Sequence, residues 1–235
     1  MQDFGSAFSL AFQLVLSADA DLLEIVLLSL QVSLSAVFVS VLIGLPFGAL
    51  LATARFPGRQ LCMLVVNALM GLPPVVVGLM VYLMLSNAGP LGWMRLLYSP
   101  TAMIIAQTIL ITPIIAALTA QVVGDYDREY RELFASMRLS LPQRIFTLLF
   151  DARYSLLTVS LAGFGRAVAE VGAVMIVGGN IDHLTRVMTT AIALETSKGD
   201  LALALALGIV LMTLALIVNA LVMTTRLTAK RMAHD

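Results

Sequence analysis

Five apolar runs, near residues 22–54, 61–85, 101–123, 156–178 and 201–224, constrain this chain more than any other feature. Each is long enough to cross about 30 Å of hydrocarbon as a helix. Inside hydrocarbon a backbone must satisfy its own polar groups, so helices are the solution for single segments of this length. Composition agrees, with 60% hydrophobic and 12% charged residues and a mean hydropathy of +0.99, outside the range of soluble domains. The expected fold class is all-α integral membrane, with about five transmembrane helices and, in 235 residues, no separate soluble domain. Residues 1–21 carry Phe4, Phe8 and Phe12 at four-residue spacing, which reads as an amphipathic helix on the membrane surface. No Lys or Arg precedes its apolar part and no small-x-small cleavage site follows, so a removed signal peptide is not expected. Residues 22–235 then form a single transmembrane domain.

Basic residues orient it. Arg55 and Arg59 follow the first run, Arg128, Arg131, Arg138, Arg144 and Arg153 the third, and Arg226, Lys230 and Arg231 the fifth. The opposite side holds Arg95, Arg186 and Lys198. The positive-inside rule places the N-terminus outside and the C-terminus in the cytoplasm. The loop at about 124–155 is then cytoplasmic. Within it Tyr130, Leu133, Phe134 and Met137 recur at helical spacing with Arg131, Glu132 and Arg138 on other faces. Ser140 and Gln143 form a Ser-x-x-Gln capping pattern with Pro142 in the first turn, predicting a second helix that carries Ile145, Phe146 and Leu149. Two readings stand open for this hairpin, packing beneath the spans or docking another protein. Nucleic-acid binding is excluded, because arginines alternate with acids and form no basic face.

Two spans contain residues that a passive membrane helix does not need. In "GLPPVVVG", residues 71–78, Pro73 and Pro74 remove two donors, so the helix bends or unwinds there. The freed carbonyls need a neighbouring helix, a side chain such as Asn67, or water, and such breaks occur along solute routes as well as at simple packing kinks. In "GRAVAEVGAVMIVGGN", residues 165–180, Arg166 and Glu170 stand four apart, so on one helix they face the same side and can pair. A charge facing lipid costs on the order of 3 kcal/mol, so that face points into protein or water. The pair either braces the gate of a pathway or holds two helices in register. Gly163, Gly165, Ala169 and Gly172 favour close helix approach in both cases.

Chemistry of its own is not expected. The two lysines, Lys198 and Lys230, lie outside any G-x-x-x-x-G-K-[ST] loop, the single cysteine, Cys62, forms no metal cluster or internal disulfide, and the histidines His183 and His234 belong to no triad. No catalytic residue, metal site or cofactor is expected in this chain. An active transporter of this kind has to borrow its ATPase, and the hairpin is the place to receive it. A gradient-driven carrier or channel working alone would usually show an internal repeat, and the halves show no convincing similarity. A structural or assembly factor would lose no solute flux on loss of Arg166, Glu170 or the double proline.

The residues Glu132 through Asp151, followed by "GFGRAVAEVGAVMIVGGNI", resemble the permease subunits of bacterial ATP-binding-cassette importers in the branch for sulfate, molybdate and tungstate. Glu170, Gly172, Gly179 and Asn180 match that branch's motif, as does the run from Leu72 through Pro73, Pro74, Val75, Val76 and Val77 to Gly78. The segment "GRAVAEVGAVMIVGGNIDHLTRVMTTAIALETSKGD" is most similar to tungstate permeases. The resemblance implies a multi-pass protein of the bacterial inner membrane working by alternating access. It further implies a second copy of the chain, two cytoplasmic ATPase subunits that bind ATP and Mg, and an extracytoplasmic binding protein that delivers the oxyanion. Selectivity among tungstate, molybdate and sulfate would then reside mainly in that binding protein.

By the same resemblance the first helix of the hairpin is the coupling helix, with Glu132, Leu133, Phe134, Met137 and Arg138 toward the ATPase. Pro73, Pro74, Gly78, Arg166, Glu170, Gly172 and Asn180 would line or support the pathway and gate. Leu133 and Phe134 stand where that family has alanines, Arg138 where it has glycine, Asp151 where it has proline and Ala169 where it has glycine. Those bulky replacements imply a matched cleft on the partner. The segment from Val187 to Leu194, among Thr189, Thr190 and Thr196, reads as a helix that caps the outer mouth or lies at the interface.

Overall fold

The computed structural model describes residues 20–232 together with Ser9, Phe12 and Gln13, and the side chains of the described residues up to 224. The amphipathic reading at Phe4 and Phe8 lies outside the described residues. Ten α-helices follow in order among them. They are α1 (Ala20–Thr53), α2 (Arg59–Leu69), α3 (Pro74–Leu85), α4 (Pro100–Glu129), α5 (Arg131–Met137), α6 (Leu141–Asp151), α7 (Arg153–Val168), α8 (Gly172–Gly178), α9 (Met188–Lys198) and α10 (Leu201–Met232), with a short 3-10 turn at Gly92–Met94.

Three of these, α1, α4 and α10 as far as Thr224, are each long and apolar enough to cross a bilayer, and up to five spans result if the bent pairs α2–α3 and α6–α7 are each one span. The expected second run is broken between α2 and α3, as the double proline requires. The expected fourth run, near 156–178, is also broken: α7 ends at Val168 and α8 begins at Gly172. Arg166 therefore sits in the last turn of α7 while Glu170 lies in the break, so the two do not stand on one continuous helix as expected. On α10 only 17% of the apolar window is buried, against 50% on α4. Its exposed Met212, Leu216, Ile217 and Leu221 suit a lipid-facing helix.

The chain forms two compact units. One comprises residues 1–35, 74–107 and 167–235, the other 36–73 and 108–166, so α1, α4 and the end of α7 contribute to both. In the first, α3 packs on α8 and α9 on α10, and Leu22, Met188, Ala191 and Leu207 bury an apolar cluster. In the second, the hairpin α5–α6 closes over Ala49, Val123, Phe134, Leu148, Ala152 and Leu156, while Leu51, Val66, Ala116, Ala117 and Ala120 form a neighbouring core. Arg59 donates from Nε to Leu51 O (2.6 Å) and from Nη2 to Ala52 O (3.1 Å), capping the last carbonyls of α1.

Candidate functional site

The site begins at a helix break that contains no proline. Glu170 is 3% exposed, and its carboxylate and both its backbone groups are hydrogen-bonded within the protein. Its Oε1 accepts from the Ala173 N–H (3.0 Å), satisfying one of the free donors at the start of α8. Its backbone O accepts from Thr189 Oγ1 of α9 (2.8 Å), and its N–H donates back to Ala167 O (3.2 Å). Gln107 of α4 reaches the same place, donating from Nε2 to Ala167 O (3.2 Å). Side chains from α4 and α9 thus meet the backbone groups that the break releases, which is the condition for a broken helix in a dry interior. Gln107 was not singled out in the sequence and Thr189 was named only with the capping or interfacial helix, because a glutamine and a threonine in apolar runs carry no local signal of a partner some 19 to 60 positions away.

A cavity of about 20 Å³ lies beside the break, lined by Ser29, Ser33, Gln107, Glu170 and Thr189 among apolar neighbours. That is about the space one water molecule needs. Gln107 Oε1 is buried and has no hydrogen-bond partner among the described residues. The cavity also touches Ser29, whose Oγ accepts from the Met188 N–H at the start of α9 (2.7 Å). The arrangement is a polar knot within an otherwise apolar unit, and it can change only by exchanging hydrogen bonds, not by sliding freely.

The proline motif and the glutamate motif, about a hundred positions apart in sequence, are brought together through α3 and α8. A Cβ on Gly78 would lie 2.8 Å from Ala173 Cα, and one on Gly172 would lie 2.9 Å from Val75 Cγ2. Glycine is needed at Gly78 because the neighbour is backbone and cannot turn aside. Pro74 is the first residue of α3, where its missing donor costs nothing. Pro73 and Arg166 are counted with the other unit. Asn180 stands at the far end of α8 from Glu170, after Gly179 (φ 72), with φ 49 and a buried Oδ1 that has no hydrogen-bond partner among the described residues.

Within the other unit the hairpin forms as predicted, with a correction to its faces. Gln143 Oε1 accepts from Ser140 N–H (3.0 Å) and Ser140 Oγ (2.8 Å), and α6 starts at Leu141. Phe134, expected among the docking side chains, is 5% exposed and belongs to the protein's own core, edge-on to Tyr130 at 5.6 Å between centroids. The physical reason is that a seven-residue helix over a core must point one apolar row inward, and Tyr130 and Phe134 supply it. Leu133 and Met137 remain exposed on α5, as do Phe146 on α6 and Phe150 near its end, and Glu132 and Arg138 are exposed beside them. Asp127 and Arg144, whose pairing the sequence did not signal, form a two-armed ion pair that ties α6 to α4: Nε to Oδ1 at 2.5 Å and Nη2 to Oδ2 at 2.5 Å.

Comparison with known proteins agrees with this architecture. Residues 44–229 match the family model described as "Binding-protein-dependent transport system inner membrane component". The chain is similar to the tungstate uptake system permease protein TupB of Peptoclostridium acidaminophilum, 38% identical over 94% of this chain and 97% of the relative. It is 40% identical to a probable anion ABC transporter permease protein of Haloferax volcanii over 85% of this chain and 88% of the relative. With TupB of Campylobacter jejuni it shares 39% identity over 70% of this chain and 69% of the relative. The relatives are permease subunits, not enzymes, and the several apolar helices are those of a multi-pass membrane protein. The chain therefore belongs to the family of inner membrane components of binding-protein-dependent transport systems.

Proposed function

We propose that this chain is the permease subunit of an ATP-driven tungstate importer, working as a pair of copies. The observation that carries the reading is 38% identity to a tungstate uptake permease across 94% of the chain. Basic residues flank the runs so that the α5–α6 hairpin faces the cytoplasm. There Leu133 and Met137, both more than half exposed, form the apolar part of a coupling surface for the ATPase, with Glu132 and Arg138 at its edge. The ATPase binds ATP and Mg; this chain supplies the passage. On the outer side a binding protein delivers the oxyanion.

Alternating access then requires an element with two discrete arrangements. The break at Glu170 supports that role, since its hydrogen bonds come from three elements, α4, α8 and α9, and a shift of any one exchanges them. Close packing of α3 on α8 makes Pro74, Gly78 and Gly172 part of the same moving piece. A molybdate or sulfate permease would share this mechanism and differ in the protein that delivers the ion.

The test is ATP hydrolysis by the complex purified with its partner ATPase and reconstituted in lipid, with the binding protein empty or loaded with tungstate, molybdate or sulfate. Stimulation by the tungstate-loaded form supports the proposal. Stimulation by another loaded form reassigns the substrate, and no ATPase or no response to any loaded form refutes the importer reading.

A further inference from the structure

The unit that holds the hairpin contains a concavity of about 660 Å³ where residues 53–56, after α1, approach α5 and α6. Its lining includes Arg55, Arg131, Arg138 and Arg144 and no acidic side chain. Arg144 is held by Asp127. Among the described residues Arg55, Arg131 and Arg138 are exposed and have no ion-pair or side-chain hydrogen-bond partner. Like charges gathered around one concavity raise its positive potential, so an anion that sits among them is favoured.

Arg138 adds a second observation. It closes α5 in the left-handed conformation, φ 51 and ψ 40, which glycine adopts freely and a side-chain-bearing residue adopts under strain. A strained arginine kept beside two other unpaired arginines points to a use for its guanidinium. Three planar, permanently charged forks match a tetrahedral oxyanion better than a flat or apolar ligand. Phe56 and Leu141, each about two-fifths exposed, flank the charges with apolar surface. The concavity opens just past α1, a helix long and apolar enough to cross a bilayer, and anionic lipid headgroups gather at the cytoplasmic ends of such helices.

We infer that this concavity binds a phosphate-type oxyanion, the phosphodiester of an anionic lipid headgroup, with Arg55, Arg131 and Arg138 on the phosphate and Phe56 and Leu141 against the glycerol and upper chain. A free oxyanion from the cytoplasm shares the chemistry and is separated by experiment. The inference does not depend on which ion the protein transports.

The full-length permease, purified with its ATPase, is reconstituted in phosphatidylcholine containing a minor fraction of phosphatidylglycerol. It is then re-extracted, and retained lipid is measured by native mass spectrometry. Wild type is expected to enrich phosphatidylglycerol. Arg138→Gly should lower that enrichment by about fivefold and the double variant Arg55→Ala/Arg138→Gly by about tenfold or more. Glycine relaxes the backbone at 138, so Arg138→Gly should unfold no earlier than wild type on heating, and loss of lipid cannot be ascribed to loss of fold. In a second arm, arginine modification by phenylglyoxal is followed in pure phosphatidylcholine with and without inorganic phosphate. Protection of Arg55 and Arg138 by phosphate, without lipid enrichment, keeps the oxyanion site and assigns its source to solution. Equal enrichment in wild type and double variant with no phosphate protection overturns the inference. Loss of the ATPase from the double variant with lipid retention unchanged also overturns it, because the arginines are then a protein contact.

Discussion

The chain breaks two helices inside apolar runs, and it does so by opposite means. Between α2 and α3 the break is written in the backbone: Pro73 and Pro74 have no N–H to give, and the end of α2 closes on itself. Met70 N–H donates to Val66 O and Asn67 O, Gly71 N–H to Ala68 O and Leu72 N–H to Leu69 O. The Asn67 side chain, a candidate partner in the sequence, is exposed and forms no hydrogen bond among the described residues. Between α7 and α8 no residue forbids helix. That break persists because Gln107, Thr189 and the Glu170 carboxylate supply the hydrogen bonds that a continuous helix would have supplied. A break of the first kind is permanent; one of the second kind is held by contacts and can be released by moving them.

The largest expected effect is at Glu170. Glu170→Ala leaves the start of α8 uncapped in a dry interior, a cost of about 3 kcal/mol, and should abolish substrate-stimulated ATP hydrolysis. Glu170→Gln keeps an acceptor for Ala173 and should recover most of the fold, so if both variants transport normally the break has no part in the mechanism. Next comes Gly78→Val, which drives a side chain into Ala173 and should lower stability by about 2 kcal/mol in a thermal unfolding assay; retention of full stability would show that α3 and α8 separate easily. Thr189→Val and Gln107→Leu each remove one donor from the contact-held break, with an expected cost of about 1 to 2 kcal/mol and a proportionate loss of transport.

By contrast Pro74→Ala should change stability by less than about 1 kcal/mol, since the carbonyls at the end of α2 are already satisfied without it and only unfolded-chain entropy is affected. A collapse of transport in Pro74→Ala would reverse the comparison, making the proline break the mobile one. The smallest effect concerns His183, whose Nδ1 lies 2.8 Å from Glu24 Oε2. The hydrogen bond to Glu24, then the nearby charges of Asp182, Glu24 and Asp21, hold its pKa above the usual histidine value. A raised folded-state pKa means that the added stability is fully present below about pH 6.5 and fades as pH rises through the folded-state value. Hydrogen exchange in residues 181–187 should therefore quicken with pH beyond its intrinsic rise, and His183→Gln should remove that excess.

How much was legible in advance follows from the range over which each signal acts. The apolar runs, the start of α6 at Ser140 and the proline break are local, and they appear where the residues place them. Glu170 was legible as a residue with a task, because a carboxylate in an apolar run is expensive whatever surrounds it. Its partners were not, because the pairing of Glu170 with Thr189 and the approach of Gln107 depend on which helices become neighbours. Phe134 shows the same limit on the hairpin. Helical spacing groups it with Leu133 and Met137, yet the core beneath α5 takes Phe134 inward with Tyr130 and leaves the other two outside.

The sequence by itself determined the solvent, the helical class and the proline break, because each follows from hydrophobic length or a missing donor within a few residues. Tertiary structure alone decided that the fourth run breaks, that Asp127 and Arg144 fasten the hairpin and that four arginines share one concavity. A helix in a dry interior yields only where distant side chains meet its freed groups, and charges become a site only where the fold gathers them.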